Sequence, residues 1–212
     1  MSTLKLNNVC FSYNKTPVLK DINFEFENDN IYSIVGKSGA GKTTLLSILS
    51  GLASPDSGEI LFNGKDIKTI DKYEFRSRYI GVIFQSFNLL TKLTALENVM
   101  LSMDIAKVKS SNKKEAAYRL LEDVGLDRKE ADRRVLKLSG GQQQRVAIAR
   151  ALSYNPDMIL ADEPTGNLDS ETQNAIMKIF RGLAEKGKCV ILVTHSPQVA
   201  KMSDKVYELK IK

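Results

Sequence analysis

The sequence predicts an α/β fold, with a parallel-sheet core, an antiparallel β layer and an inserted helical segment. Three observations predict it. Gly36-Lys37-Ser38-Gly39-Ala40-Gly41-Lys42-Thr43 fits Gly-x4-Gly-Lys-Ser/Thr, between the apolar run 31–35 and the helical run 44–49. The unbroken apolar run from Cys189 to Thr194 suits a strand covered on both faces. From Thr94 to Lys137 the pattern changes to short polar helices, after which helix and strand alternate again.

Each element has a local reason. Leu4 to Tyr13 reads as a strand, and 22–27 alternates apolar and polar as a half-exposed antiparallel strand does. Lys15-Thr16-Pro17 marks a turn between them. Ile31 to Val35 is a short buried strand running into the glycine turn, and Thr44 to Leu49 is the helix that leaves it. Residues 57–64 end in Asn63-Gly64, a hairpin signal. Tyr79 to Phe84 is a strand closed by Gln85.

Thr94-Ala95-Leu96-Glu97 is a capping box that starts a helix, and a second helix from Lys113 to Val124 is stopped by Gly125. Gln142 to Leu152 is helical, Met158 to Ala161 a buried strand, and Ser170 to Lys186 a helix with a Ser170-x-x-Gln173 cap. Val206 to Ile211 alternates as an edge strand. The expected organisation is a single nucleotide-binding domain over 1–212. Residues 1–87 and 138–212 form its P-loop NTPase core and β layer, and 88–137 its helical subdomain.

At 212 residues with a net charge of +6, the chain suits one core-forming domain with a mildly basic surface. A basic surface is ordinarily just solvated, though it also attracts an anionic membrane face. No Lys/Arg stripe with interleaved aromatics is present, so nucleic acid is not an expected partner. The two cysteines, Cys10 and Cys189, lie in strand-like runs and read as buried, reduced thiols of a cytosolic protein. No signal-peptide core and no apolar run near ~18 residues is found. At a membrane, another chain must therefore do the spanning.

The glycines of the loop let successive N–H groups point at one anion, and the following helix adds its positive dipole end. Lys42 reaches β- and γ-phosphates and the Thr43 hydroxyl suits Mg²⁺. Asp162 and Glu163 stand at the C-terminal end of the strand 158–161, where open α/β sheets bind ligands. Neighbouring strand residues point to opposite faces, so Asp162 is free to hold Mg²⁺ and Glu163 to deprotonate an attacking water. Pro164 restricts the backbone of Glu163. The bland alternative is a pair of acids in a surface turn.

His195, the only histidine, follows the strand 189–194 and is placed to bond the γ-phosphate or steady the water. A lone histidine elsewhere would read as structural. Gln85 suits Mg²⁺ or the water and is free to move with the helices after it. Tyr13 is either an adenine-stacking ring or an ordinary strand aromatic.

Ser139 is a good N-cap, and Gly140-Gly141 bare the N–H groups of a helix start. This is a second anion site. It serves either a second ligand or the nucleotide of a partner chain, and the physics of the segment leaves both open.

The phosphate loop 36–43, Gln85, Leu138-Ser139-Gly140-Gly141-Gln142, the strand ending Asp162-Glu163, Asn167-Leu168-Asp169 and His195 together resemble the ATP-binding cassette (ABC) ATPases across the whole chain. The resemblance implies that fold, and a Mg²⁺-dependent ATPase with Lys42, Gln85, Glu163 and His195 in catalytic roles. It implies nucleotide contacts from Tyr13, from Gly36, Lys37, Ser38, Gly39, Ala40, Gly41, Lys42, Thr43 and Thr44, and from Gln85 and Asp162. Thr43, Gln85 and Asp162 would hold the metal. It further implies a head-to-tail dimer that sandwiches two ATP, with Ser139, Gly141, Gln142 and Asp169 acting across the interface.

A finer likeness in 84–90, 93–99 and 161–169 is to the subgroup serving lipoprotein release, macrolide and peptide export, antimicrobial-peptide resistance and division-site remodelling. That implies a separate membrane-spanning permease and a peripheral position on the cytoplasmic face of the membrane. The helical segment would receive the permease, with Phe87, Leu89 and Leu90 as either socket or core. The alternatives are a cassette that drives a mechanical change without transport, and a soluble cassette of translation or DNA repair. The last lacks support, since there is neither a second cassette nor a long coiled-coil insert.

Overall fold

The computed structural model describes residues 3–210. The chain opens with β1 (Thr3–Tyr13) and β2 (Thr16–Glu27), paired antiparallel. Asn14 and Lys15 make the turn, with φ of 49° and 69°, the left-handed pair a tight hairpin needs. The turn expected at 15–17 is therefore displaced. Pro17 lies inside β2 opposite Ser12, and β2 begins well before Ile22.

β3 (Ile31–Val35), α1 (Lys42–Leu49), β4 (Ser57–Phe62) and β5 (Lys65–Asp66) follow. Asn63 and Gly64 join β4 to β5 as expected, with φ of 51° and 78°. A single turn, α2 (Lys72–Glu74), precedes β6 (Ile80–Ile83). Next come α3 (Ala95–Ile105), α4 (Lys113–Asp123), α5 (Arg128–Ala131) and α6 (Gly140–Leu152). The chain then alternates through β7 (Met158–Asp162), α7 (Ser170–Glu185), β8 (Cys189–Val193), α8 (Pro197–Lys201) and β9 (Lys205–Glu208). The strand expected at 206–211 begins at Lys205 and ends at Glu208, short of Leu209 and Lys210, and Ile211 lies outside the described residues.

Two sheets result. One is antiparallel in the order β2-β1-β4-β5, the other parallel in the order β6-β7-β8-β3-β9. The alternation of β7 and β8 explains the layering. Ile159, Ala161, Val190 and Leu192 pack into one apolar cluster with α3, α4, α6 and α7. Met158, Leu160, Cys189, Ile191 and Val193 pack into a second, with α1 and the antiparallel sheet. Every residue of both strands is buried. Truncating one such side chain to alanine costs about 2–5 kcal/mol, against about 5–15 kcal/mol for a whole domain. The strand interiors are therefore scaffold, and chemistry is confined to their ends.

Helix starts follow sequence with one exception. Thr94 caps α3 and Ser139 caps α6, each in a reciprocal box, with Glu97 and Gln142 respectively. The cap of α7 is Asp169, which accepts from the Thr172 N–H at 2.9 Å, and not Ser170. A carboxylate takes two donors at once, Thr172 N–H and Oγ1–H, where the Ser170 hydroxyl offers less. Gln173 is buried, with its Nε2 unpartnered among the described residues. Cys189 is buried as expected, but Cys10 is only half-buried, its Sγ accepting from the Asp21 N–H at 3.3 Å.

Candidate functional site

Four adjacent strands, β6, β7, β8 and β3, bring their C-terminal ends side by side. Gln85 follows β6, Glu163 follows β7, His195 follows β8, and the glycine loop follows β3. With Asp162, Ser38 to Thr44 and Tyr13 they line one open cleft of about 450 Å³. The cleft lies where open parallel sheets bind ligands.

The loop is shaped for an anion. Gly41 precedes α1 with φ of 88°, and a Cβ there would stand 2.8 Å from Val18 Cγ1. No side chain caps α1, so its first N–H groups are left for a ligand. Lys42 Nζ donates to the Gly36 carbonyl at 2.8 Å and the Lys37 carbonyl at 3.1 Å, which pins its charge across the loop.

The two acids do face different neighbours. Asp162 is buried and accepts from the Thr43 hydroxyl at 3.2 Å. Burial pushes its carboxyl above the ordinary range, with the Thr43 bond opposing. Among the described residues no cluster of His, Cys, Asp and Glu would hold a metal alone. Thr43 and Asp162 nevertheless form an oxygen pair at the mouth of an anion loop, which fits Mg²⁺ completed by phosphate and water oxygens.

Glu163 has a φ of 45°, not the extended conformation that a following proline favours. Its N–H is held by the Val193 carbonyl at 2.9 Å. Its carboxylate accepts from Thr194 Oγ1 at 3.3 Å and the His195 N–H at 3.4 Å, and meets His195 Nδ1 at 2.8 Å. An acid in a strained backbone region, gripped from the next strand, is pre-aimed. With Nδ1 engaged as donor, a neutral His195 ring presents an acceptor at Nε2. That suits steadying a water. Bonding a phosphate oxygen would require the imidazolium.

Tyr13 is 54% exposed at the cleft rim, its ring perpendicular to that of Phe11 at 4.8 Å. Phe87 and Leu89 pack on the core, whereas Leu90 is exposed.

Six expected nucleotide contacts do not line this cleft: Gly36 and Lys37, whose carbonyls accept from Lys42, and Ser139, Gly141, Gln142 and Asp169. Ser139 and Asp169 are exposed at the starts of α6 and α7. Those two helix starts touch, since a Cβ on Gly141 would stand 2.7 Å from Thr172 Cγ2. Thr172 Oγ1 in turn bonds Asp169 at 2.7 Å. Gln142 is committed within the chain, its oxygen accepting from the Ser139 N–H and its amide donating to Glu130. The α6 start is thus capped within the chain and open to solvent at Ser139 and Gly140.

Sequence reasoning did not single out Thr194 or Val18. Thr194 was visible as the last residue of the 189–194 run. Nothing local marks Val18, which reaches the loop only by folding.

The profile of the family described as ABC transporter matches residues 19–166. The uncharacterized ABC transporter ATP-binding protein YclH of Bacillus subtilis is 48% identical over 207 residues, covering 96% of this chain and 92% of that protein. The macrolide export ATP-binding/permease protein MacB of Syntrophobacter fumaroxidans is 43% identical, covering 92% of this chain and 28% of that protein. Among solved structures, the dimeric post-hydrolysis state of the ATP-binding cassette MJ0796, bound to ADP and Pi, matches with a TM-score of 0.89 at 38% identity. That match covers 99% of this chain and 96% of the other. The likeness bears out the expected P-loop NTPase core with its antiparallel β layer.

Proposed function

This chain belongs to the ABC transporter family, and we propose that it is the Mg²⁺-dependent ATP-hydrolysing subunit that powers a separate membrane permease. The observation that carries the reading is the cleft itself. An anion loop, a Thr43–Asp162 oxygen pair and a pre-aimed acid–histidine pair meet at four neighbouring strand ends.

The loop amides and Lys42 hold the β- and γ-phosphates, and Tyr13 covers the adenine. Thr43, Asp162 and Gln85 hold Mg²⁺, which when bound offsets phosphate charge as a Lewis acid. Glu163 accepts the proton of the attacking water, and His195 fixes that acid through Nδ1 while Nε2 accepts from the water. Ser139, Gly141 and Asp169 complete the cleft of a second copy head to tail, as the exposure of Ser139 and Asp169 allows. The dimeric MJ0796 cassette and its bound ADP and Pi support this arrangement.

No helix among the described residues is long and apolar enough to cross a membrane, so the permease is another chain or another part of one. The name of the MacB relative joins ATP-binding and permease parts, and this chain spans 28% of that protein. The macrolide export in that name supports an export role; peptide, lipoprotein or drug-like cargo and a place at the cytoplasmic face of the membrane belong to the reading proposed here. Residues 88–137 form the helical subdomain that receives the permease, with Leu90 as an exposed apolar contact.

Phosphate release and nucleotide binding test the reading together. The wild-type chain should hydrolyse ATP only with Mg²⁺. Glu163→Gln should bind ATP unchanged and lose about 10²–10⁴ in turnover. A Glu163→Gln variant with unaltered turnover would remove the base from its assigned place.

A further inference from the structure

The segment after Gln85 has no regular structure, and side chains of α3 and α6 hold it. Phe87 and Asn88 are both left-handed, with φ of 60° and 48°. A phenylalanine seldom adopts that region unless neighbours impose it. Arg150, in the last turn of α6, is the neighbour. Its Nη2 donates to the Phe87 carbonyl at 2.8 Å and its Nη1 to the Asn88 carbonyl.

Asn98 of α3 supplies the next hold. Its carboxamide accepts from the Leu90 N–H at 2.9 Å and donates to the Leu90 carbonyl at 3.2 Å. The backbone beyond Gln85 turns back on the end of β6 through one bond, Phe87 N–H to the Phe84 carbonyl at 3.0 Å, and its Phe87, Asn88 and Leu90 carbonyls are tied to the helices.

Arg150 is an unusual residue to spend on packing. It is half-buried, and burial works against its charge, with only the Tyr154 phenol countering. Two carbonyls satisfy it. A planar fork fits such a pair, whereas the single ammonium of lysine does not. The same helix begins at Ser139, roughly 16 Å away at 1.5 Å per residue.

We propose that Arg150 is a positioning residue that locks the Gln85 loop to α6, so that the chain's own cleft and the Ser139 end it offers to a partner move as one body. The proposal rests on the two-copy arrangement above. Its consequence is that displacement of Gln85 in one cleft is carried along α6 to Ser139 in the other, which couples the two sites.

Arg150→Lys and Arg150→Gln in the full chain test this, by ATP hydrolysis against ATP concentration and by amide hydrogen exchange. Exchange over 86–90 should rise ~10-fold in both variants, with 142–149 and 158–162 unchanged. KM for ATP should stay within about twofold, because the phosphate loop is untouched. kcat should fall ~10-fold and the Hill coefficient should drop from above 1 to about 1.

Exchange that rises throughout α6 and β7 with cooperativity retained would show a structural role only and overturn the proposal. Lysine restoring wild-type cooperativity would overturn it too, since charge alone would suffice. A wild-type chain with neither cooperativity nor an ATP-dependent dimer overturns the two-copy reading and this one with it. A cooperative wild type matched by an equally cooperative Arg150→Gln overturns this one alone.

Discussion

The phosphate loop and the start of α6 are both glycine-bearing helix N-termini, yet one is walled into a cleft and the other faces outward. At the first, Gly41 leaves α1 uncapped, a lysine bridges the loop, and residues at the ends of β6, β7 and β8 line the cleft. At the second, Ser139 and Gln142 cap each other, Gln142 donates to Glu130 of α5, and Gly141 lies against Thr172 at the start of α7. The difference teaches that an anion site needs more than free N–H groups. It needs a counter-charge and walls, and among the described residues the cleft of the phosphate loop has both, whereas Ser139 is exposed.

The two glycines sharpen this comparison most. Gly41→Ala meets Val18 Cγ1 at 2.8 Å in a left-handed conformation and should abolish nucleotide binding. Gly141→Ala meets Thr172 Cγ2 at 2.7 Å and should spare binding while cutting turnover by about 10²-fold, the cost of one misplaced anion donor. Thr172→Ser removes that methyl and should return part of the lost rate. Equal binding defects in the two alanine variants would erase the distinction.

A smaller effect belongs to the rim of the walled site. Tyr13→Ala should weaken nucleotide binding roughly fivefold, about 1 kcal/mol of stacking, with kcat unaltered. Titration by fluorescence or calorimetry measures it. An unchanged affinity would make Tyr13 an ordinary strand aromatic.

The smallest effect concerns stability. The Asp162 carboxyl is raised by burial, so its protonated form favours the folded state. That contribution is full below the unfolded pKa and is lost as pH rises through the folded one. Asp162→Asn should therefore melt slightly higher than wild type at neutral pH, with the gap closing toward acid, and should lose Mg²⁺-dependent hydrolysis. A lower melting point at pH 7 would contradict the burial argument. No equivalent gain is expected at Asp169, whose bonds to Thr172 hold its carboxyl below the ordinary range.

What was legible in the sequence was what is encoded locally. The glycine loop, the Asn63-Gly64 turn and the capping boxes at Thr94 and Ser139 each sit in fewer than ten residues. Competing local signals produced the errors. Lys15-Thr16-Pro17 outweighed Asn14-Lys15 as a turn, and Ser170 stood beside Asp169, whose carboxylate takes two donors. Long-range contacts were invisible. Thr194 on Glu163, Val18 against Gly41 and Arg150 on the Phe87 carbonyl join residues far apart in the chain. The left-handed Glu163 ran against the bias of Pro164, as residues at functional sites often do.

The central claim is that each cleft is finished by the outward α6 start of another copy. Mixing Ser139→Arg with Lys42→Ala measures it directly. Each variant alone should be inactive, and the equimolar mixture should recover about a quarter of wild-type turnover, since half the dimers pair one intact loop with one intact serine. A mixture as inactive as its components would contradict the account.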